Sequence, residues 1–164
     1  MDVRRPEQLD DVDSLVIPGG ESTTIGKLAE QYGFLPKLRE RAAQGMPIWG
    51  TCAGAIFLAR AVRHHPHPVL GLLDMTIERN AFGRQVDSFE ADLDIRGVSG
   101  GRFHGVFIRA PRVASVGPGV EVLARLEDGS IVAARQARLL ATSFHPELTS
   151  DRRVHELFLA LEGD

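Results

Sequence analysis

The stretch Met46-Pro47-Ile48-Trp49-Gly50-Thr51-Cys52-Ala53-Gly54-Ala55-Ile56-Phe57-Leu58 decides the fold. Residues 46–49 are a short apolar run, the pattern of a buried strand. They lead into Gly50-Thr51-Cys52-Ala53-Gly54, which has the form G-x-C-x-G, the cysteine version of a G-x-S-x-G nucleophile elbow. The two glycines permit a sharp turn that lifts the sulfur above the strand ends. Residues 53–62 then read as a buried helix whose first N–H groups point at the same spot, where they favour negative charge.

Working outward, residues 14–18 form a second apolar run that stops at Gly19-Gly20, the pattern of a strand ending in a loop. Residues 23–41 look helical, with Ile25, Leu28, Leu35 and Leu38 as the apolar stripe and a break expected between Tyr32 and Pro36, where Gly33 falls. Strand, loop and helix twice in succession predict a parallel α/β sheet. His64-His65-Pro66-His67-Pro68 is a loop, because proline breaks both periods. The second half changes to short alternating runs at 75–78, 86–95, 105–109, 120–126 and 131–136, with Asp128-Gly129 as a hairpin signal between the last two. Residues 139–144 are another apolar strand, ending at His145-Pro146-Glu147, and residues 151–161 close the chain as an amphipathic helix. With no repeat, linker or low-complexity segment, residues 1–164 read as one domain.

Composition limits what such a domain does. The chain has 164 residues, 43% hydrophobic and 25% charged, which excludes disorder as its main state. Its net charge of −3 gives no long-range pull toward nucleic acid or an anionic membrane. No apolar run reaches the roughly 18 to 20 residues of a membrane span, and the start, Met1-Asp2-Val3-Arg4-Arg5-Pro6, lacks the apolar core of a signal peptide. Arginines outnumber lysines 17 to 2, a bias of lineage before one of function. Cys52 is the one cysteine, so no intrachain disulfide forms. A lone cysteine is either a small buried hydrophobe or a nucleophile, and its neighbours decide which.

Two loops supply those neighbours. A nucleophilic cysteine needs a base, and the base an orienting partner. His145 at a strand end, with Glu147 two residues on, meets both needs. Pro18-Gly19-Gly20-Glu21-Ser22-Thr23 follows another strand. It lacks the lysine of a nucleotide-binding P-loop and reads as the second half of an oxyanion hole, with Ser22 as a helix N-cap. The histidines 64, 65 and 67 have prolines between them and no carboxylate or thiolate alongside, which argues against a metal site.

The G-T-C-A-G elbow, the P-G-G-E-S loop and the S-F-H-P-E segment together resemble the class I, triad-type glutamine amidotransferases. Residues 4–9, 78–85, 86–91 and 105–111 further resemble the glutaminase subunits of pyridoxal phosphate synthase, the PdxT/SNO family, and the likeness runs over essentially the whole chain. It implies a flavodoxin-like three-layer α/β fold, with a mostly parallel central sheet and helices on both faces. It implies a glutaminase that forms a thioester on Cys52, with His145 as base and then acid and Glu147 orienting it. The oxyanion would rest on N–H groups of Ala53 and of Gly19 and Gly20. Gly20, Glu21, Ser22, Arg79, Ile108 and Arg109 match the family's glutamine-binding positions. The family implies no cofactor and no metal, a cytoplasmic location, and a partner: a (β/α)-barrel synthase subunit that receives the ammonia within a large hetero-oligomer.

The resemblance is also incomplete. The family opens with a hydrophobic strand, a Leu-Gln-Gly turn and a helix, and Met1-Asp2-Val3-Arg4-Arg5 aligns with the end of its second strand. The expectation is therefore a fold without the family's first strand and helix. Two other readings stay open from sequence: another cysteine hydrolase on the same elbow, and a binding module that docks on the synthase without turnover.

Overall fold

The structure is a computed structural model and describes residues 1–64, 66–78 and 88–163. After a 3-10 turn, Pro6–Asp11, the elements are β1 (Leu15–Ile17), α1 (Ser22–Gln31), α2 (Phe34–Ala43), β2 (Ile48–Thr51), α3 (Ala53–Leu58), β3 (Ala59–Val62), β4 (Leu73–Glu78), β5 (Ser88–Leu93), β6 (Phe103–Ile108), β7 (Arg112–Val116), β8 (Glu121–Arg125), β9 (Ile131–Gln136), β10 (Leu139–Thr142) and α4 (Arg153–Ala160). The main sheet runs β1-β2-β10-β9-β7-β4-β3, with β8 also on β9, and β5 and β6 form a separate antiparallel pair. β1, β2 and β10 are parallel, so three strand ends open on one side. Those ends lead directly into the Gly19-Gly20 loop, the Cys52 elbow and the His145 segment.

Helices cover both faces of the sheet. On one face Ala29, Leu35 and Leu38 of α1 and α2 pack with Ile56, Phe57 and Leu58 of α3 and with Ile48, Met75 and Ile77 of the sheet. On the other, Val154 and Phe158 of α4 pack with Trp49, Leu140 and Phe144, and with Phe103 and Phe107 of β6. Trp49 is 1% exposed and touches Phe158 at a ring separation of 5.5 Å. Gly54 lies so close to the Ile17 carbonyl that a Cβ there would overlap it. The missing side chain is what lets α3 seat against the end of β1.

One expectation changes. The run 53–62 divides: the helix stops at Leu58, Ala59 turns extended (φ −63°, ψ 149°), and β3 pairs in parallel with β4. An alanine-rich apolar run fits either element, and pairing with β4 decides between them. The expected break after α1 is present, with Gly33 at φ 75° starting α2. β7 and the 3-10 turn, which buries Leu9 completely, had no clear periodic signal. β1 lies at the sheet edge and pairs only with β2 among the described residues, leaving Val16 exposed.

Candidate active site

Cys52 occupies the elbow between β2 and α3 with φ 49° and ψ −107°, a backbone state that side chains rarely adopt. Its neighbours hold it there. The Cys52 N–H donates to the Thr142 carbonyl at 2.8 Å, and the Cys52 carbonyl accepts from Ala55 and Ile56 at 3.1 and 3.3 Å. The Thr142 hydroxyl accepts from the Trp49 indole N–H at 3.1 Å, so the elbow is tied into the core on the α4 side. Ala53 and Gly54 open α3, where first-turn N–H groups have no intrahelical acceptor.

His145 follows β10 and a short extended link. Its backbone N–H donates to the Val106 carbonyl at 2.9 Å, which hangs the segment on β6. Its Nδ1 meets Glu147 Oε1 at 2.7 Å, and Nε2 is buried with no hydrogen-bond partner among the described residues. The adjacent Cys52 sulfur is the main reason the imidazole is pushed up to about 9 from 6.5; burial opposes the shift and Glu147 adds to it. The Cys52 thiol itself points to the Ile108 carbonyl at 3.7 Å. Cys52, His145 and Glu147 are thus brought together, the residue types that a nucleophile, a base and an orienting carboxylate require.

The three loops and β6 enclose a cleft of about 380 Å³ lined by Gly20, Glu21, Ser22, Cys52, Ala53, Ile56, Ile108, Arg109, Pro111 and His145. Gly19 sits just behind it, where a Cβ would come within 2.8 Å of His145 Cε1. The site residues expected from the sequence therefore converge, except Arg79, which lies outside the described residues. Ile56 and Pro111 were not singled out from sequence, since an apolar cleft wall carries no motif.

The helix cap differs from expectation. Glu21, not Ser22, caps α1: its carboxylate accepts from Thr23 N–H at 3.0 Å and Thr24 N–H at 2.8 Å. Those backbone bonds hold its pKa down at about 2. Glu has the longer reach, so the carboxylate two and three residues upstream of these donors outcompetes the hydroxyl. Ser22 Oγ is left buried and without a hydrogen-bond partner among the described residues. No group of three or more His, Cys, Asp or Glu able to hold a metal occurs among the described residues, and no helix there is long and apolar enough to cross a membrane.

Known proteins bear on this site directly. The family model described as the SNO glutamine amidotransferase family matches residues 1–161. A relative from Herpetosiphon aurantiacus, named pyridoxal 5'-phosphate synthase subunit PdxT, is 60% identical over 98% of this chain and 86% of its own length. The protein of that name from Thermus thermophilus is 55% identical over 99% of this chain and 84% of its own. A crystal structure of a glutamine amidotransferase superposes with a TM-score of 0.93 at 54% identity, over 99% of this chain and 85% of that one. The PurLQS structure from Thermotoga maritima, at 17% identity and a TM-score of 0.67, shares the fold. With the elbow, the His-Glu pair and the glycine loop gathered on one cleft, the chain belongs to the SNO glutamine amidotransferase family.

Proposed function

We propose that this chain is the glutaminase subunit of a pyridoxal 5'-phosphate synthase, releasing ammonia from L-glutamine for vitamin B6 synthesis. The observation that carries this reading is the Cys52–His145–Glu147 line at the mouth of the cleft, in a chain 60% identical to a protein named for that synthase. We read residues 1–164 as a single amidotransferase domain. The synthase subunit that takes the ammonia is the partner, and the lone unpaired cysteine fits a reducing cytoplasm, where thiols persist.

His145 takes the proton of the Cys52 thiol, Cys52 Sγ attacks the side-chain amide carbon of glutamine, and the amide oxygen takes up negative charge. N–H groups of Ala53 and the Gly19-Gly20 loop receive that charge. His145, held by Glu147, passes a proton to the departing nitrogen as the C–N bond breaks. Ammonia leaves, and a γ-glutamyl thioester remains on Cys52. Water, deprotonated by His145, adds to the thioester carbon; the C–S bond breaks, releasing glutamate and restoring the thiol. Gly20, Glu21 and Ser22 line one wall for the substrate, the free Ser22 hydroxyl offering a donor, while Ile108 and Arg109 line the other. Arg79 matches the family's glutamine-contacting arginine, a residue suited to clamping the α-carboxylate.

The test is C52S in the presence of the synthase subunit. Glutamate production and covalent labelling by a glutamine-analogue electrophile disappear, while the thermal midpoint stays near that of wild type. Turnover persisting in C52S refutes the reading. Association with the synthase but no turnover by the wild-type chain favours a docking module instead.

A further inference from the structure

The structure assigns a second ligand site, away from the glutamine cleft, with the chemistry of a phosphate or phosphate monoester receptor. A polar depression of about 330 Å³ is lined by Arg63, Arg112 and Arg125, with Glu78 and Ser130 also in its wall. Strand pairing is what gathers them. Arg63 leaves β3 with its N–H on the Ile77 carbonyl at 2.9 Å. Glu78 of β4 is paired with Arg112 of β7, and Arg125 of β8 with Ile131 of β9. Ser130 immediately precedes β9.

Charge is unbalanced in this depression. Three arginines line it with one carboxylate, and Glu78 reaches Arg63 only at 3.7 Å. The Arg112 side chain makes no hydrogen bond or ion pair among the described residues and feels the Asp128 carboxylate through space. Arg125 is anchored to the Gly129 carbonyl at 2.9 Å through one nitrogen, which keeps its plane fixed beside the depression. Ser130 is 4% exposed, and its N–H and hydroxyl both face the Asp128 carboxylate, the N–H donating at 2.8 Å. Like charges brought together repel unless an anion sits between them. A tetrahedral oxyanion answers this: its oxygens accept from several planar guanidinium forks together. A lone carboxylate has two oxygens and one charge, and would leave donors unused.

Equilibrium dialysis of the full chain with labelled inorganic phosphate tests the site. Saturable binding of one phosphate per chain is expected, weakened at least tenfold by R112Q, with unchanged glutaminase activity in the presence of the synthase. R63Q serves as the second arginine variant if R112Q does not fold, as judged by its thermal melt. Competition by pyridoxal 5'-phosphate but not by pyridoxal identifies a phosphate ester as the ligand; competition by neither identifies free phosphate. The choice of that ester rests on the function proposed above, whereas phosphate binding does not, so the two readings fail separately. Absence of saturable binding overturns the site, as does binding unaltered in every variant. Loss of synthase association in R112Q without any phosphate binding also overturns it, in favour of an acidic face on the partner.

Discussion

Gly19 places bare backbone beside the imidazole of His145, the proposed base, where any Cβ would press on Cε1 at 2.8 Å. G19A therefore turns the ring away from Cys52, and because small misplacements of reacting groups are expensive, kcat falls about 100-fold with little change in thermal midpoint. Steady-state kinetics beside a melt separate the two effects. His145 also predicts a pH signature. Its folded pKa is raised to about 9 from 6.5, so its stabilising contribution is full below about 6.5 and disappears as the pH rises through about 9. The gap in thermal midpoint between wild type and H145N narrows over that window. E147Q removes one support of the imidazolium, so the alkaline limb of the pH–rate profile moves to lower pH and kcat drops roughly 100-fold or more. At this scale the sequence was most informative, because Cys52, His145 and Glu147 each sit in a motif. The steric duty of Gly19 was not legible, since it depends on where a residue far along the chain comes to rest. The cap was misassigned to Ser22 for a related reason: two adjacent polar side chains compete, and only the geometry of α1 shows that Glu21 wins.

Among the elements, α4 is held by its apolar face, with Phe158 at 3% exposure against Trp49. F158A leaves a cavity beside the indole that anchors the elbow and costs about 3 to 5 kcal/mol, readable by urea denaturation. α1 depends on its cap in a pH-dependent way. The Glu21 carboxylate is lowered to about 2, so its contribution holds above about 4.5 and fades as the pH falls toward 2. The destabilisation caused by E21A is accordingly largest near neutrality and vanishes in acid, as melts across that range will record. α1, α2, α4, β1 and β9 could be placed from apolar spacing, glycine and chain punctuation. The end of α3 could not: residues 59–62 are alanine-rich and apolar whichever element they join, and only the partner strand β4 makes them β3. β7 was missed because Arg112–Val116 is short and half polar.

For the whole molecule, ammonia transfer is the property to measure. With glutamine labelled at its amide nitrogen, the proposed delivery between subunits predicts the label in pyridoxal 5'-phosphate even when unlabelled ammonium is in excess. Equal dilution of the label into solvent ammonium would contradict direct delivery. The sheet order β1-β2-β10-β9-β7-β4-β3 was not legible from the chain, since strands distant in sequence pair by long-range contacts that periodicity does not encode. The same order has a consequence in time. The positive φ of Cys52 is tolerated only between β1 and β10, with Gly54 pressed on the Ile17 carbonyl and the Cys52 N–H held by Thr142. Its base and oxyanion donors come from opposite ends of the chain. A nascent or refolding polypeptide thus has Cys52 without its base, and the proposed triad is assembled only when the last strand docks, so the site is completed late in folding and not before.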